Sequence, residues 1–413
     1  MLVVFDKYTE NTKKLQETLR RMSFAAKIAV LEDNGFLPEG VTSPCDCFVY
    51  SQSSIAPEER ELFYDFLEVP DYWEIRSADL MHGEIYDMGC KKADIYYTEP
   101  IEKKNVQRVE WRMESGWIYK IDYYNKYALK YASAFLDADG NVESKVYYSE
   151  KNQEIIVEQP MNDVVTLLEG GRTKAFFSSY EDYTEYYLEK IAPGEKRVLF
   201  IQDQEGFGHL HPEAEGKSGW EAVLFSNREL MDQYSGMGGK DGRRFYAVPE
   251  KYPANGAQGE ALILTSTDRL EEIEYLVQEL PEVTFHIGAS TQVSEKLNKL
   301  GERENVKVYP QISARDLNAL WEKCDFYFDI NYYWETYNAV EVAHQNNLLI
   351  VGFESTLHHR ELTASECIFS AAEREKLVLA MRELVNHEER VQERLVRQQE
   401  KIFEIWDWLK GLA

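Results

Sequence analysis

Apolar residues follow two different rhythms along this chain, and the switches between them divide it. The run Leu2–Phe5 is short and continuous, as in a strand buried on both faces. Leu15, Leu19 and Met22 then recur at i, i+4 and i+7, one stripe of a helix. Lys27–Leu31 is a second buried run, closed by the turn signal Asn34-Gly35. This β-α-β start opens a parallel, helix-covered sheet. From Trp73 to Phe177 the period drops to two, in short runs rich in Tyr, Ile, Val and Trp. Glu114-Ser115-Gly116, Asp137 to Gly140, Lys151-Asn152 and Gly170-Gly171 punctuate them, which predicts an antiparallel meander. With so many aromatics, one face is expected to pack and the other to offer an aromatic platform.

The helical rhythm returns over Ser179–Lys190, followed by a buried run at Arg197–Gln202. Two Gly-rich stretches, Gln204–Ser218 and Ser235–Arg243, read as loops; neither has phosphate-loop spacing. From Ala261, strands at 261–265, 283–289, 306–309, 326–330 and 348–353 alternate with helices. One helix is expected over Arg269–Leu280, capped by Asp268 and stopped by Pro281. Another is expected over Ala314–Lys323, capped by Ser313. The tail is expected to be helical, with Leu395, Ile402, Ile405, Trp406 and Leu409 among its apolar positions.

The fold class is therefore α/β, with two Rossmann-type domains and an inserted antiparallel β-meander. The expected divisions are 1–64 and 179–250 for the first Rossmann-like domain, 65–178 for the insert, 251–371 for the second Rossmann-like domain and 372–413 for C-terminal helices. Two facing Rossmann domains with a cleft between them make the glycosyltransferase-B (GT-B) architecture.

Charge narrows the partners. The chain has 413 residues with 73 Asp+Glu against 46 Lys+Arg, a net charge of -27, so phosphate backbones and anionic lipid are repelled and nucleic acid is not expected. Its five cysteines include no CxxC pair, which reads as reduced thiols in a cytosolic protein. The start MLVVFDKYTE turns charged too soon for a signal peptide, and the longest apolar run is far short of the ~20 residues of a membrane span. A cytoplasmic location is expected, with any membrane association peripheral.

Several segments resemble the GtfB family of the accessory Sec system. They are Leu31 to Pro38, Tyr72-Trp73-Glu74-Ile75, Tyr86-Asp87-Met88-Gly89, Ala261 to Ser266 and Asn346 to His358. They lie in the family's order from residue 1 to about 360. The resemblance implies a catalytically inactive partner of a GtfA-type O-GlcNAc transferase, forming a heterodimer or a dimer of heterodimers. It implies that the chain stabilises the transferase and holds a serine-rich repeat adhesin, bare or GlcNAc-modified, before export. The meander resembles an add-on domain found in both subunits.

The donor-site positions support inactivity. A retaining GT-B site has a Gly-rich turn and two Glu eight apart. Here the matching stretch reads Asp329-Ile330-Asn331-Tyr332-Tyr333-Trp334-Glu335; Glu341 matches the ribose carboxylate, but Tyr333 stands eight before it. Bulky side chains replace the glycines that let backbone N–H groups approach a diphosphate. Arg269 survives from the diphosphate-binding pair, without its Lys and with Glu271 and Glu272 beside it. Arg269, Tyr333, Glu335 and Glu341 are therefore expected to be vestigial donor positions, with no catalytic residue, cofactor or metal. Glu335 reads as a solvated or helix N-terminal carboxylate rather than a displaced catalytic one. His358-His359 read as loop or helix-start residues rather than metal ligands, and His209 and His211 as exposed loop residues, with ligand contact as the alternative. Cys324 has no base at a legible spacing.

For partner or acceptor binding, Trp111, Trp117, Tyr119, Tyr123 and Tyr147 of the meander are the expected surface, with core packing as the alternative. Two other functions stay open: an active retaining UDP-sugar transferase, and a glycan-binding module on the same fold.

Overall fold

The structure, a computed structural model, describes residues 1–50, 59–204, 206, 220–237 and 242–412, with backbone alone at 404, 405 and 412. The chain divides into two compact units, Met1–Leu19 with Ala25–Phe245, and Arg20–Phe24 with Tyr246–Ala413.

In the first unit β1 (Leu2–Phe5), β2 (Lys27–Val30) and β3 (Val41–Thr42) lie on one side of a parallel sheet. The chain then leaves for ten antiparallel strands: β4 (Glu74–Ser77), β5 (His82–Asp87), β6 (Cys90–Tyr97), β7 (Val106–Arg112), β8 (Ile118–Tyr124), β9 (Lys130–Leu136), β10 (Val142–Tyr148), β11 (Glu154–Gln159), β12 (Val164–Glu169) and β13 (Arg172–Phe177). Each pairs with the next, so the insert is one ten-stranded sheet with β4 and β13 at its edges. The chain re-enters the parallel sheet with β14 (Arg197–Ile201), β15 (Trp220–Phe225) and, after helix α3 (Arg228–Gly236), β16 (Gly242–Arg244), giving the order β16-β15-β14-β1-β2-β3. The helix α1 (Glu10–Arg21) buries Leu15 and Leu19 from the stripe seen in the sequence.

The meander is welded to the parallel sheet rather than tethered to it. One core holds Leu2, Val4 and Leu199 of the parallel sheet together with Tyr131, Tyr147, Ile156 and Val165 of the meander. The helix α2 (Tyr180–Ile191) adds Tyr183, Tyr187 and Leu188; it is started by Ser179, whose hydroxyl accepts from Asp182 N. The Asn34-Gly35 turn is the anchor. Tyr131 donates to the Asp33 carbonyl at 2.9 Å, and Lys126 N donates to the Gly35 carbonyl at 2.9 Å. Gly35 has φ +81°, and a Cβ there would stand 2.7 Å from the Tyr124 carbonyl oxygen, so only glycine fits. The outer strands have a second, smaller core around Ile85, Ile95 and Val109.

In the second unit β17 (Glu260–Thr265), β18 (Thr284–Ala289), β19 (Val306–Tyr309), β20 (Phe326–Asp329), β21 (Leu349–Phe353) and β22 (Ile368–Phe369) form a parallel sheet ordered β19-β18-β17-β20-β21-β22. In chain order that is 3-2-1-4-5-6, the doubly wound dinucleotide-fold arrangement. Its switch point lies between β17 and β20, where such sheets bind ligands at their carboxyl ends. Helix α5 (Glu295–Leu300) joins β18 to β19, and α6 (Ala314–Lys323) lies where the sequence places it, with Ser313 Oγ accepting from Asp316 N at 3.1 Å.

The first expected helix does not. Helix α4 covers Ile273–Glu279 rather than Arg269–Leu280. Residues 269–271 are instead drawn onto the chain that leaves β20: Leu270 bridges Asn331, Glu271 N donates to the Ile330 carbonyl, and Tyr332 N donates to the Arg269 carbonyl. Those backbone groups are unavailable to a helix, and Glu272 turns left-handed (φ +53°) before one starts. The tail is two helices, α8 (Arg374–Leu384) and α9 (Glu388–Leu412), separated at Asn386, which has φ +62°. Leu395, Ile402, Trp406 and Leu409 are buried; the side chain of Ile405 lies outside the described residues.

Candidate functional site

The loop after β20 carries Tyr333 and Glu335 and brings Tyr333 against Arg269, while Glu341 lies further on in the helix that follows. Thr265, at the end of β17, donates from its hydroxyl to Asn331 Oδ1 at 2.9 Å, and Asn331 Nδ2 holds the Trp334 carbonyl at 3.1 Å. Asp329 is fully buried. Its carboxylate accepts from His358 N at 2.7 Å and faces His358 Nδ1 at 2.6 Å; His358 Nε2 then reaches the Tyr333 carbonyl at 2.9 Å. Gly352 on β21 is what lets the strands close here, because a Cβ would lie 2.6 Å from the Asp329 carbonyl oxygen.

On this floor the loop displays its aromatic rings. Tyr333 is 58% exposed, Trp334 85% and Tyr337 49%. Tyr333 has φ +74°, the left-handed conformation glycine would adopt without strain. Its hydroxyl accepts from Arg269 Nη1, and the guanidinium carbon lies 5.5 Å from its ring centroid. Arg269 is thus engaged by Tyr333.

Glu335 is a structural carboxylate in this geometry. One oxygen accepts from Val340 N at 2.8 Å, at the start of α7 (Ala339–Gln345), and the other meets His359 Nε2 at 2.9 Å. Burial pushes its pKa up, but the His359 partner, with the Val340 N–H, wins and holds it below 4.5. His359 Nδ1 lies 3.3 Å from Glu361, which also accepts from the Tyr246 hydroxyl. Burial opposes the charge on Glu361 too, yet these partners push its pKa down to about 2. Glu341 sits in the first turn of α7 and accepts from Gln345 Nε2 at 3.2 Å. Glu272 of the acidic pair is ion-paired with Arg374.

The five meander aromatics do not make one platform. Strand register puts Trp111 opposite Lys120 on one face, and Tyr123, Ala132 and Tyr147 together on the other. Tyr147 is 5% exposed and belongs to the core. Trp111 is tied to Asp122 at 2.7 Å, Trp117 donates to the Asp137 carbonyl at 2.9 Å, and Tyr119 and Tyr123 are half-buried. The most exposed apolar side chains of the meander lie at the two ends of the β4–β5 hairpin, while Met113, Phe135, Met161 and Phe176 are exposed singly elsewhere on it. Tyr72 and Met88, each 96% exposed, stand at one end of that hairpin, with Leu80 and Met81 at its turn. Sequence reasoning missed them because isolated Met and Leu residues next to turns carry no periodic signal.

Among the described residues one group, His82, Glu84 and Asp94, has its ligand-type atoms close enough for a metal. Lys91 sits 2.6 Å from both Glu84 and Asp94, and Arg112 2.6 Å from Asp94, so its charge is already met by cations. Cys324 is buried, and burial raises its thiol to about 12, far from a reactive thiolate. His209 and His211 lie outside the described residues.

Three family domains match in order: the GtfB N-terminal domain over residues 2–48, the GtfB middle domain over 73–178 and the GftB/GlyA-F C-terminal domain over 261–398. The UDP-N-acetylglucosamine–peptide N-acetylglucosaminyltransferase stabilizing protein GtfB of Streptococcus parasanguinis is 31% identical over 391 residues, covering 87% of each chain. The chain belongs to the GtfB family. The protein of the same name from Streptococcus agalactiae is 28% identical and covers 93% of this chain and 92% of its own. A chain in the crystal structure of a GtfA/B complex bound to UDP and GlcNAc superposes with a TM-score of 0.52 at 25% identity, over the full length of both. The fold is thus GT-B-like α/β, with the antiparallel sheet as an insert.

Proposed function

We propose that this chain is the non-catalytic, stabilising subunit of a GtfA-type O-GlcNAc transferase, and that it holds a Ser/Thr-rich adhesin polypeptide for glycosylation in the cytoplasm. The observation that carries the reading is Tyr333: a bulky residue in a glycine conformation, its hydroxyl on the one surviving diphosphate cation. A departing UDP requires close backbone donors and uncommitted positive charge. Here Tyr333 and Trp334 take the space and Arg269 is committed to Tyr333. Glu335, the carboxylate nearest to a catalytic position, is spent on Val340 N and His359.

The names of its relatives support a stabilising role, and exposed apolar groups supply surfaces for it. The β4 edge strand leaves backbone groups unpaired beside Tyr72, Met81 and Met88, which suits pairing or packing with a transferase. The loop 331–338 suits an extended polypeptide, because exposed Tyr and Trp rings bury area at low conformational cost. No helix among the described residues is long and apolar enough to cross a membrane, so membrane contact in this reading is peripheral and comes through the partner.

The test is co-expression with a GtfA-type transferase, measuring GlcNAc transfer to a Ser/Thr-rich polypeptide by each subunit alone and by both. The reading requires no transfer by this chain alone and a gain in yield and activity of the transferase when it is present. Transfer by the isolated chain would favour the active-enzyme alternative.

A further inference from the structure

His358 stands between two hydrogen-bond acceptors. Its Nδ1 lies 2.6 Å from Asp329 Oδ1 and its Nε2 lies 2.9 Å from the Tyr333 carbonyl oxygen. A neutral imidazole has one N–H and one lone pair, so it can serve only one of them and aims its lone pair at the other. Exchanging the two nitrogens by a ring flip changes nothing, because both positions face acceptors. Only the imidazolium donates to both. The Asp329 end of this bridge is dry, with Asp329 at 0% and the His358 side chain at 14% exposure, while the Tyr333 end is exposed, so water can take over the Tyr333 carbonyl once the imidazole no longer donates to it.

The consequence falls on Tyr333. Its left-handed backbone persists only where neighbours over-determine it. His358 holds its carbonyl and Arg269 holds its hydroxyl. Among the described residues Asp329 at the end of β20 and Glu335 in the loop act on the imidazole by charge, and His359, next in sequence, is bound to Glu335 and Glu361. Burial disfavours the charge on His358, but Asp329, the Tyr333 carbonyl and Glu335 together raise its pKa above 6.5. Glu335 is held below 4.5 and so does not titrate in the same range.

We propose that His358 is a proton-set latch for the aromatic loop: protonated, it fixes Tyr333 and Trp334 in their displayed positions, and on losing its proton it releases the Tyr333 carbonyl and lets the loop leave its left-handed turn. The sign follows from the raised pKa. The displayed arrangement is complete below pH 6.5 and is lost as pH rises through the higher folded-state value. This deepens the proposed function, and rests on it only where it concerns acceptor binding: the loop's hold on a Ser/Thr-rich polypeptide weakens on the alkaline side of that transition.

The experiment uses the full chain. Histidine ring resonances are followed by NMR against pH, and the loop is followed through 5-fluorotryptophan ¹⁹F signals, with Trp334→Phe assigning Trp334. His358→Gln assigns the His358 resonance; if that variant misfolds, His359→Gln and elimination among the eight histidines serve instead. The latch requires a His358 midpoint above 6.5 and a Trp334 signal that moves with the same midpoint. A His358 that titrates at or below 6.5, or a Trp334 signal flat across its titration, overturns it. Fluorescence anisotropy with a labelled Ser/Thr-rich peptide over the same pH range is the second readout, expected to weaken roughly threefold to tenfold. A working latch with pH-independent peptide binding would leave the latch standing and count against the loop as the acceptor surface.

Discussion

Replacing Glu335 by alanine distinguishes a structural carboxylate from a catalytic one. The substitution removes the acceptor of Val340 N at 2.8 Å and the partner of His359 Nε2 at 2.9 Å, at a side chain only 15% exposed. Each hydrogen bond to a charged group contributes about 1.5–3 kcal/mol, and part of this is recovered as the site relaxes and admits water. A net loss of about 2–4 kcal/mol follows, close to what breaking a buried pair costs. For a unit of this size that lowers the melting temperature by roughly 5–15 °C. Differential scanning calorimetry of the full chain reads it in the transition of the second unit, identified by a core variant there such as Leu276→Ala. Glu335→Gln keeps an acceptor for Val340 N and should fall between the two. The carboxylate's lowered pKa adds a signature: its contribution is present above pH 4.5 and disappears as pH falls through the folded-state value, so wild type and Glu335→Ala converge in acid. A variant within about 0.5 kcal/mol of wild type at pH 7 would refute the reasoning.

Four further outcomes are expected. Gly352→Ala drives a Cβ to 2.6 Å from the Asp329 carbonyl oxygen and should destabilise the second unit by about 1–3 kcal/mol, measured by urea denaturation. Tyr147→Ala should cost about 3–5 kcal/mol as a core deletion, so any loss of partner binding should track unfolding measured by circular dichroism. Tyr72→Glu with Met88→Glu, at positions 96% exposed, should change stability by no more than about 0.5 kcal/mol yet reduce co-purification with a GtfA-type transferase. His344 is buried, and burial pushes its pKa down to about 4, so the unfolded chain binds the extra proton. The second unit should lose stability between pH 6.5 and about 4, and His344→Phe should flatten that slope in pH-dependent melting curves.

The frame of the fold was legible because it is local. Leu2–Phe5, Arg197–Ile201 and the strands after Ala261 are continuous apolar runs, and Ser313 and Ser179 begin helices by hydrogen bonds to residues three positions on. The β-meander announced itself by period two and its turns. The helix start at Arg269 was misplaced because the competitor is distant: Leu270 and Glu271 give their backbone groups to residues 330–331, some sixty positions along the chain. The aromatic platform failed for a related reason. Alternation puts Trp111 and Tyr147 each on a face, but which face a second sheet covers is decided by the Asp33–Tyr131 anchor and the shared core. In the loop 331–338 the sequence shows Tyr332, Tyr333 and Trp334 where the resemblance calls for glycines, and Tyr333 rather than Glu eight before Glu341. That Tyr333 holds Arg269, and that His358 holds Tyr333, depends on contacts 64 and 25 residues apart and is visible only in the folded unit.

In the proposed function the second Rossmann-type unit accepts no nucleotide diphosphate, because Tyr333 and Trp334 take the space it would need and Arg269 is held by Tyr333. The decisive measurement is isothermal titration of UDP and of UDP-GlcNAc into the full chain, without any partner. No saturable heat is expected up to a concentration on the order of 1 mM. Saturable binding in the micromolar range, abolished by Arg269→Ala, would contradict it.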